Sequence, residues 1–384
     1  MAQKEGFQTE TPILTLPEEP WTGRLAVKNI LCPVDFSEFS LQAFRCAVGI
    51  ARHFQARLFV QHTVHVSAAM FLEGTDITTA REAIQLSRHD ADRRLRGLIA
   101  ESGAQESEVF TLINEGDVRD HILETVAEQK IDLLVMGTHG HKGFNRLVLG
   151  SVAEHLVHEA VCPVLVVSRP ESGFVTLEDA EPVHLKTIVA ATDFSPNSSR
   201  ALIHALRWAS EWSGKVILFH AVEETSSDFR RYFDLLPEYN PYFEKQVAEG
   251  WEKIRTVIPE AARAKCELSY EVRQGHPKEE ILKYAAEKKP DLIVMGARGV
   301  GRSDVVWGST ISGVVRDGRF PVLSVRHLLD ESREGRWQTA SGRVEVGGQE
   351  AKQAPPAGRA RYVEWASGRR MKPPAARPAL VPSE

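Results

Sequence analysis

The chain repeats itself, and this duplication limits the possible folds more than any other feature. KNILCPVDFS at Lys28 returns as KTIVAATDFS at Lys186, and CPVLVV at Cys162 returns as FPVLSV at Phe320, both at an offset of 158. IDLLVMGTHG at Ile131 returns as PDLIVMGARG at Pro290, an offset of 159. A duplication of this length predicts two domains of one fold, 26–168 and 184–327, joined by a polar linker over 169–183.

Within each copy, short apolar runs alternate with segments of helical periodicity. In the first copy the predicted strands are 28–34, 58–63, 108–114, 131–136 and 162–167, and the predicted helices are 37–53, 78–102, 117–129 and 151–158. Ser37 and Asp117 stand where they can cap the helices that follow them. Strands that alternate with helices predict parallel pairing, so we expect an α/β fold with a doubly wound sheet in each copy.

Composition excludes several classes of protein. The net charge of −5 over 384 residues does not favour a nucleic-acid-binding body, and four cysteines without metal-ligand spacing are expected to be reduced core residues. The start lacks a secretion-signal pattern and no apolar run is long enough to span a membrane, so we expect a cytoplasmic protein. Residues 1–25 are expected to be an extended lead-in, and the Gly-, Pro- and Ala-rich basic segment 328–384 a disordered tail.

The stretch LLVMGTHGHKGFNRLVLGSV, from Leu133 to Val152, resembles a phosphate cradle. A buried strand is predicted to end near Met136, and a helix is predicted to restart near Gly150. Glycines permit positive φ and close approach of backbone N–H groups to a ligand, and a helix N-terminus attracts anions. Asp35 ends the first strand and Gly137 ends the fourth. These two strands are neighbours where the winding direction of such a sheet reverses, so both motifs are expected at the ligand crevice.

PVDFS, the spacing Gly137-x2-Gly140-x9-Gly150-Ser151, the helix SVAEHLV and CPVLVVS together resemble the universal stress protein family. The resemblance covers both copies and implies a five-stranded parallel sheet in the order 3-2-1-4-5. In one branch of the family it also implies bound ATP, with Mg²⁺ as an optional companion ion. The implied contacts in the first copy are Pro33, Val34, Asp35, Thr63, Met136, Gly137, Gly140, Gly150, Ser151 and Val152. Thr63 departs from the aliphatic residue expected at its position.

The second copy fits this pattern less well. Eight residues rather than nine separate Gly299 from Gly308, and Arg298, Arg302 and Asp304 occupy its loop. The corresponding candidate contacts are Asp193, Ala221, Met295, Gly296, Gly299, Gly308, Ser309 and Thr310. The resemblance also implies that the last strands of the two copies pair within the chain as a pseudo-dimer, with a homodimer as a further possibility.

Other interpretations of these motifs are weaker. GARGVGRS at Gly296 has Arg302 where a P-loop has lysine, and no GxGxxG follows the first strand. The histidines His139, His141, His155 and His158 lack a completing cysteine or carboxylate, so no metal site is expected. His62 and His220, which end the second strands of the two copies, are interpreted as hydrogen-bonded core residues. Asp35 and Asp193 could instead be acids that only initiate a helix.

The sequence therefore favours a stress-response protein that binds ATP or another adenine nucleotide and acts as a nucleotide-dependent regulatory or interaction module. The alternative is a nucleotide-free stress protein that acts by dimerisation or partner binding, with its glycine loops serving only as turns. An ATPase is the weakest hypothesis, because no general base or nucleophile can be assigned, and catalysis would be limited to slow hydrolysis. Neither nucleic acid nor membrane is expected as a partner.

Overall fold

The structure, a computed structural model, describes residues 25–65, 77–104, 109–138, 149–168, 184–223, 240–258, 260–263, 266–299, 309–326, 338–339 and 342–343. The chain divides into two compact units, Met1–Val344 and Glu345–Glu384, and the second lies wholly outside the described residues. Both copies of the repeat belong to the first unit.

The described part of the first copy contains five strands and four helices. In chain order they are β1 (Asn29–Pro33), α1 (Glu38–Phe54), β2 (Arg57–Val64), α2 (Ile77–Glu101), β3 (Val109–Glu115), α3 (Val118–Glu128), β4 (Leu133–Gly137), α4 (Ser151–Glu159) and β5 (Val164–Val167). The strands are parallel in the order β3-β2-β1-β4-β5, which confirms the predicted order. β5 begins two residues later than predicted, because Pro163 has no N–H to donate and contributes only its carbonyl, which accepts from Leu134 N.

The second copy repeats this arrangement. Its elements are β6 (Thr187–Ala191), α5 (Pro196–Trp212), β7 (Lys215–Val222), α6 (Asn240–Thr256), α7 (Glu260–Arg263), β8 (Glu267–Gln274), α8 (Pro277–Lys288), β9 (Leu292–Gly296), α9 (Ser309–Asp317) and β10 (Val322–Val325). β6 pairs with β7 and β9, and the other parallel pairs match those of the first copy.

One antiparallel pair joins the two copies into a single ten-stranded sheet. β5 pairs with β10 through Val166↔Val322 and Leu165↔Leu323, as predicted for the last strands of the copies. The central strands β4, β5 and β10 are buried along nearly their whole length because helices cover both faces of the sheet. One face packs against α1, α2, α5 and α6, and the other packs against α3, α4, α8 and α9.

Helix termini on the first face also join the copies. The C-terminal turns of α1 and α5 meet, where His53 Nε2 lies 3.1 Å from Glu211 Oε1. The His53 ring stacks on Trp212 with centroids 4.6 Å apart, and Trp208 is fully buried beside them. These contacts and the β5–β10 pair show that the two copies share one core.

Several predictions fall outside the described residues or depart from them. The lead-in 1–24, the linker 169–183 and most of the tail are outside. Within the predicted disordered tail, Gln338–Thr339 pairs with Gly342–Arg343 as short antiparallel strands. In the described part of the chain, no helix is long and apolar enough to cross a membrane. The four cysteines are free, and burial raises the pKa of the Cys162 thiol to about 12.

Candidate functional site

A cleft of about 1410 Å³ lies beyond the carboxyl ends of the first copy's strands. Nine of the ten residues predicted as contacts in this copy line it, and the tenth, Gly140, lies outside the described residues. The nine are Pro33, Val34, Asp35, Thr63, Met136, Gly137, Gly150, Ser151 and Val152. They come from the ends of β1, β2 and β4 and from the start of α4, so the fold brings together residues up to 119 positions apart.

The turn after β1 is held rigidly beside β2. Val34 N donates to Gln61 O at 2.8 Å, and His62 Nδ1 donates to Val34 O at 2.7 Å. The ring of His62 also packs on Phe36, with centroids 4.8 Å apart. This confirms the interpretation of His62 as a hydrogen-bonded histidine, and His220 does the same in the second copy through Thr192 O at 2.8 Å. Burial lowers the pKa of His220, so its ring is neutral near pH 7.

Asp35 has a structural role in this turn. Its Oδ1 accepts from Ser37 N at 3.0 Å and from Ser37 Oγ at 2.6 Å, and Ser37 then caps α1 by accepting from Ser40 N. The residue between them, Phe36, has φ 64°, a left-handed conformation that is strained for a bulky side chain. Phe194 repeats this φ in the second copy. Asp35 therefore initiates the helix and lines the cleft, which combines the two interpretations of this residue.

Gly137 is required by packing rather than by a positive φ. A Cβ on this residue would lie 2.7 Å from the carbonyl carbon of Phe39 at the start of α1. Neither Gly137 nor Gly150 is among the described glycines with positive φ, and Gly150 has φ −60°. Of the two properties of glycine named above, positive φ is therefore not used at these two positions. Gly137 instead lets the end of β4 approach the first turn of α1.

The N-terminus of α4 opens on the cleft. Gly150 is the N-cap of this helix, and no side chain of the described residues caps it, whereas Ser37 and Asp117 cap α1 and α3. Gly150 N donates to Thr138 O at 3.0 Å, which brings the two ends of the glycine-rich segment together. The first N–H groups of α4 and its positive dipole end consequently stand beside the end of β4.

Charged side chains of both signs surround the opening of the cleft. Arg94 of α2 lies over the Phe36 ring at 3.9 Å, and Arg119 pairs with Asp117 at 3.4 Å. Asp90 and Glu154 also line the cleft. Arg94 was not predicted as a contact, because α2 lies far from the glycine motifs in sequence and only the fold places it at the cleft.

Gln61 is another residue of the cleft that was not predicted as a contact. This residue of β2 pairs in register with Pro33, lines the cleft and is 1% exposed. Its Nε2 donates to Asn114 Oδ1 at 3.1 Å, whereas its Oε1 has no hydrogen-bond partner among the described residues. The repeat contained a usable signal, since the matching position of the second copy is the apolar Phe219.

The second copy also brings its motifs together. Asp193 Oδ1 accepts from Ser195 N, and a Cβ on Gly296 would lie 2.8 Å from the carbonyl carbon of Asn197, as at the equivalent residues of the first copy. A Cβ on Gly299 would lie 2.6 Å from Asp193 Oδ2, so the chain after β9 approaches this carboxylate closely. Met295 ends β9, Ala221 lies on β7, and Ser309 and Thr310 begin α9. Gly308 lies outside the described residues.

The far end of α4 contacts the second copy. His158 is 1% exposed; its Nδ1 donates to Ala297 O at 3.0 Å, and its Nε2 accepts from Ser312 Oγ at 2.9 Å. Burial lowers the pKa of His158, which favours this neutral tautomer. Arg298 pairs with Glu159 at 3.2 Å. One helix thus has its N-terminus at the first cleft and its C-terminus against the segment that follows β9.

Comparison with known proteins agrees with the fold. Residues 26–168 and 184–326 each match the universal stress protein family. A universal stress protein of Methanocaldococcus jannaschii is 35% identical over 151 residues, which cover 39% of this chain and 86% of that protein. The crystal structure of a universal stress protein from Archaeoglobus fulgidus superposes with a TM-score of 0.55 at 21% identity, covering 80% of this chain and 99% of that one.

Proposed function

This chain belongs to the universal stress protein family with two copies of the family's domain, and we propose that its first copy binds an adenine nucleotide, ATP above all. The convergence of nine predicted contacts on one cleft is the observation that carries the proposal. The N-terminus of α4, which no side chain of the described residues caps, supplies N–H donors and a positive dipole end for phosphate groups. The buried lining residues Val34, Met136 and Leu149 supply apolar surface for a base.

We assign the nucleotide to the first copy because its glycine motif has the full spacing Gly137-x2-Gly140-x9-Gly150-Ser151, whereas the second copy has one residue fewer between Gly299 and Gly308. Asp35 of the first copy lines the cleft. The second copy then serves as the structural partner that completes the ten-stranded sheet. Nucleotide occupancy would act as a regulatory signal through α4, which extends from the cleft to Ala297 and Arg298.

A charge at the start of α4 tests this assignment. We expect Ser151→Glu to weaken ATP binding by about ten- to a hundredfold, because its carboxylate would repel the phosphates at a distance of a few ångströms. The same substitution is expected to raise the stability of the free protein slightly, by about 0.3–1 kcal/mol, since an acid at a helix N-terminus favours the dipole. Calorimetric titration with ATP and thermal melting without nucleotide measure the two effects.

The repeat offers a matched control. Ser309→Glu places the same charge at the first residue of α9, and we expect it to leave ATP affinity unchanged. Loss of binding in Ser309→Glu with retention in Ser151→Glu would move the site to the second copy. If millimolar ATP neither binds the unmodified chain nor raises its melting temperature, the proposed function is wrong.

A further inference from the structure

Gln61 violates the usual rule for buried polar groups. It is 1% exposed, and its Oε1 has no hydrogen-bond partner among the described residues. Such an acceptor destabilises a folded protein, and one that a protein retains needs an explanation. Substituting an apolar side chain would remove the problem, as Phe219 does at the matching position of the second copy, where it is fully buried.

The position of Gln61 supplies that explanation. It pairs in register with Pro33 and lies two residues before Thr63, so Gln61 and Thr63 project from the same face of β2. Pro33, Thr63 and Met136 line the cleft with it. The unpartnered acceptor therefore belongs to a residue that lines the cleft together with the ends of β1, β2 and β4.

The orientation of the amide decides which chemistry it can recognise. Gln61 Nε2 donates to Asn114 Oδ1 at 3.1 Å, and the buried carbonyl oxygen of the amide is the atom without a partner among the described residues. A buried carbonyl oxygen accepts a hydrogen bond and cannot donate one. We infer that Gln61 is a specificity-determining residue that accepts a hydrogen bond from the exocyclic amine of the bound base.

This inference rests on the proposed function and makes it more specific. A base that carries an amine at the 6-position satisfies the buried acceptor. A base with a carbonyl oxygen at the 6-position places a second acceptor beside Gln61 Oε1, so no hydrogen bond forms between them. Sites built to hydrogen-bond a substrate N–H reject analogues that lack the donor, because the buried protein group is then left unpaired. The first copy would consequently select adenine over hypoxanthine, with Gln61 as the selecting side chain.

Calorimetric titration of the full chain with ATP and with inosine triphosphate tests the inference, since the two ligands differ only at the base. We expect the unmodified protein to bind ATP at least about tenfold more tightly than inosine triphosphate. Gln61→Met keeps a side chain of similar volume and removes the acceptor. This variant should weaken ATP binding, leave the affinity for inosine triphosphate within about twofold, and bring the two affinities together.

Gln42 provides a matched control. It is also a buried glutamine whose Oε1 has no partner among the described residues, but it lies on α1 and is not among the residues that line the cleft. Gln42→Met should therefore leave the ratio of ATP to inosine triphosphate affinity unchanged. Should Gln61→Met fail to fold, N6,N6-dimethyl-ATP tests the unmodified protein, because it lacks the N–H donor and should bind as weakly as inosine triphosphate.

The outcomes separate this inference from the proposed function. Tight ATP binding with an unchanged ratio in Gln61→Met would overturn the role of Gln61 and leave the proposed function standing. A preference for inosine triphosphate would also overturn it, since Gln61 would then present a donor to the cleft. Binding of neither nucleotide would overturn both.

Discussion

Replacing Trp208 by alanine is expected to lower the free energy of unfolding by about 3–5 kcal/mol, the range found for large aromatic side chains removed from cores. Trp208 is among the largest fully buried side chains of the described residues. Its ring lies 5.4 Å from that of Trp212 and 6.5 Å from that of Phe54 in the other copy, centroid to centroid. The loss would leave a cavity beside the contact between α1 and α5. Urea denaturation followed by tryptophan fluorescence and circular dichroism measures it.

Val161→Ala is the control for this variant. Val161 is 51% exposed, so its truncation should change the free energy of unfolding by no more than about 0.5 kcal/mol. Separate unfolding transitions for the two copies in the unmodified protein, or a cost for Trp208→Ala as small as that for Val161→Ala, would contradict the shared core.

Gly137→Ala should destabilise the protein by about 1–3 kcal/mol, as overpacking of a dense interior does. Its Cβ would lie 2.7 Å from the carbonyl carbon and 2.8 Å from the carbonyl oxygen of Phe39. Because these are backbone atoms of α1, relief requires movement of the helix rather than rotation of a side chain. Denaturant unfolding without nucleotide isolates this effect from any effect on ligand binding.

Gly97→Ala is the control within the same domain, and its expected effect on stability has the opposite sign. Gly97 lies inside α2, and a Cβ there meets no other atom within 4 Å. Alanine at this position should stabilise the protein by about 0.5–1 kcal/mol, because glycine loses more backbone freedom in a helix. If Gly137→Ala were as stable as Gly97→Ala, the close approach of β4 to α1 would be wrong.

Much of the fold could be predicted because the same pattern of apolar runs and helical segments occurs twice in the sequence. The repeated apolar runs identified the strands, and Ser37 and Asp117 identified two helix starts that the structure confirms. The pairing of β5 with β10 could be predicted from the family resemblance. Boundaries were less accurate where a single residue decided them, as at Pro163, which cannot donate a ladder hydrogen bond.

The residues that line the cleft could largely be predicted from the sequence. The physical role of each of these residues could be predicted less well. Because β1 and β4 are neighbours in a doubly wound sheet, Asp35 and Gly137 lie close together regardless of their roles. The cleft could therefore be located from the two motifs. The same motif did not show that Gly137 is needed for packing on Phe39, because close approach to a helix and close approach to a ligand both require glycine. Gln61 and Arg94 belong to no motif, and only the three-dimensional structure places them at the cleft.

Photolabelling with 8-azido-ATP tests whether the first copy binds the nucleotide, because mapping of the labelled peptide locates the base on the chain. Label is expected on a peptide from the ends of β1 or β2, within 33–36 or 61–65, and unlabelled ATP is expected to protect that peptide. Protected label on the matching segments 191–194 or 219–223 of the second copy, or no label that ATP competes for, would contradict it.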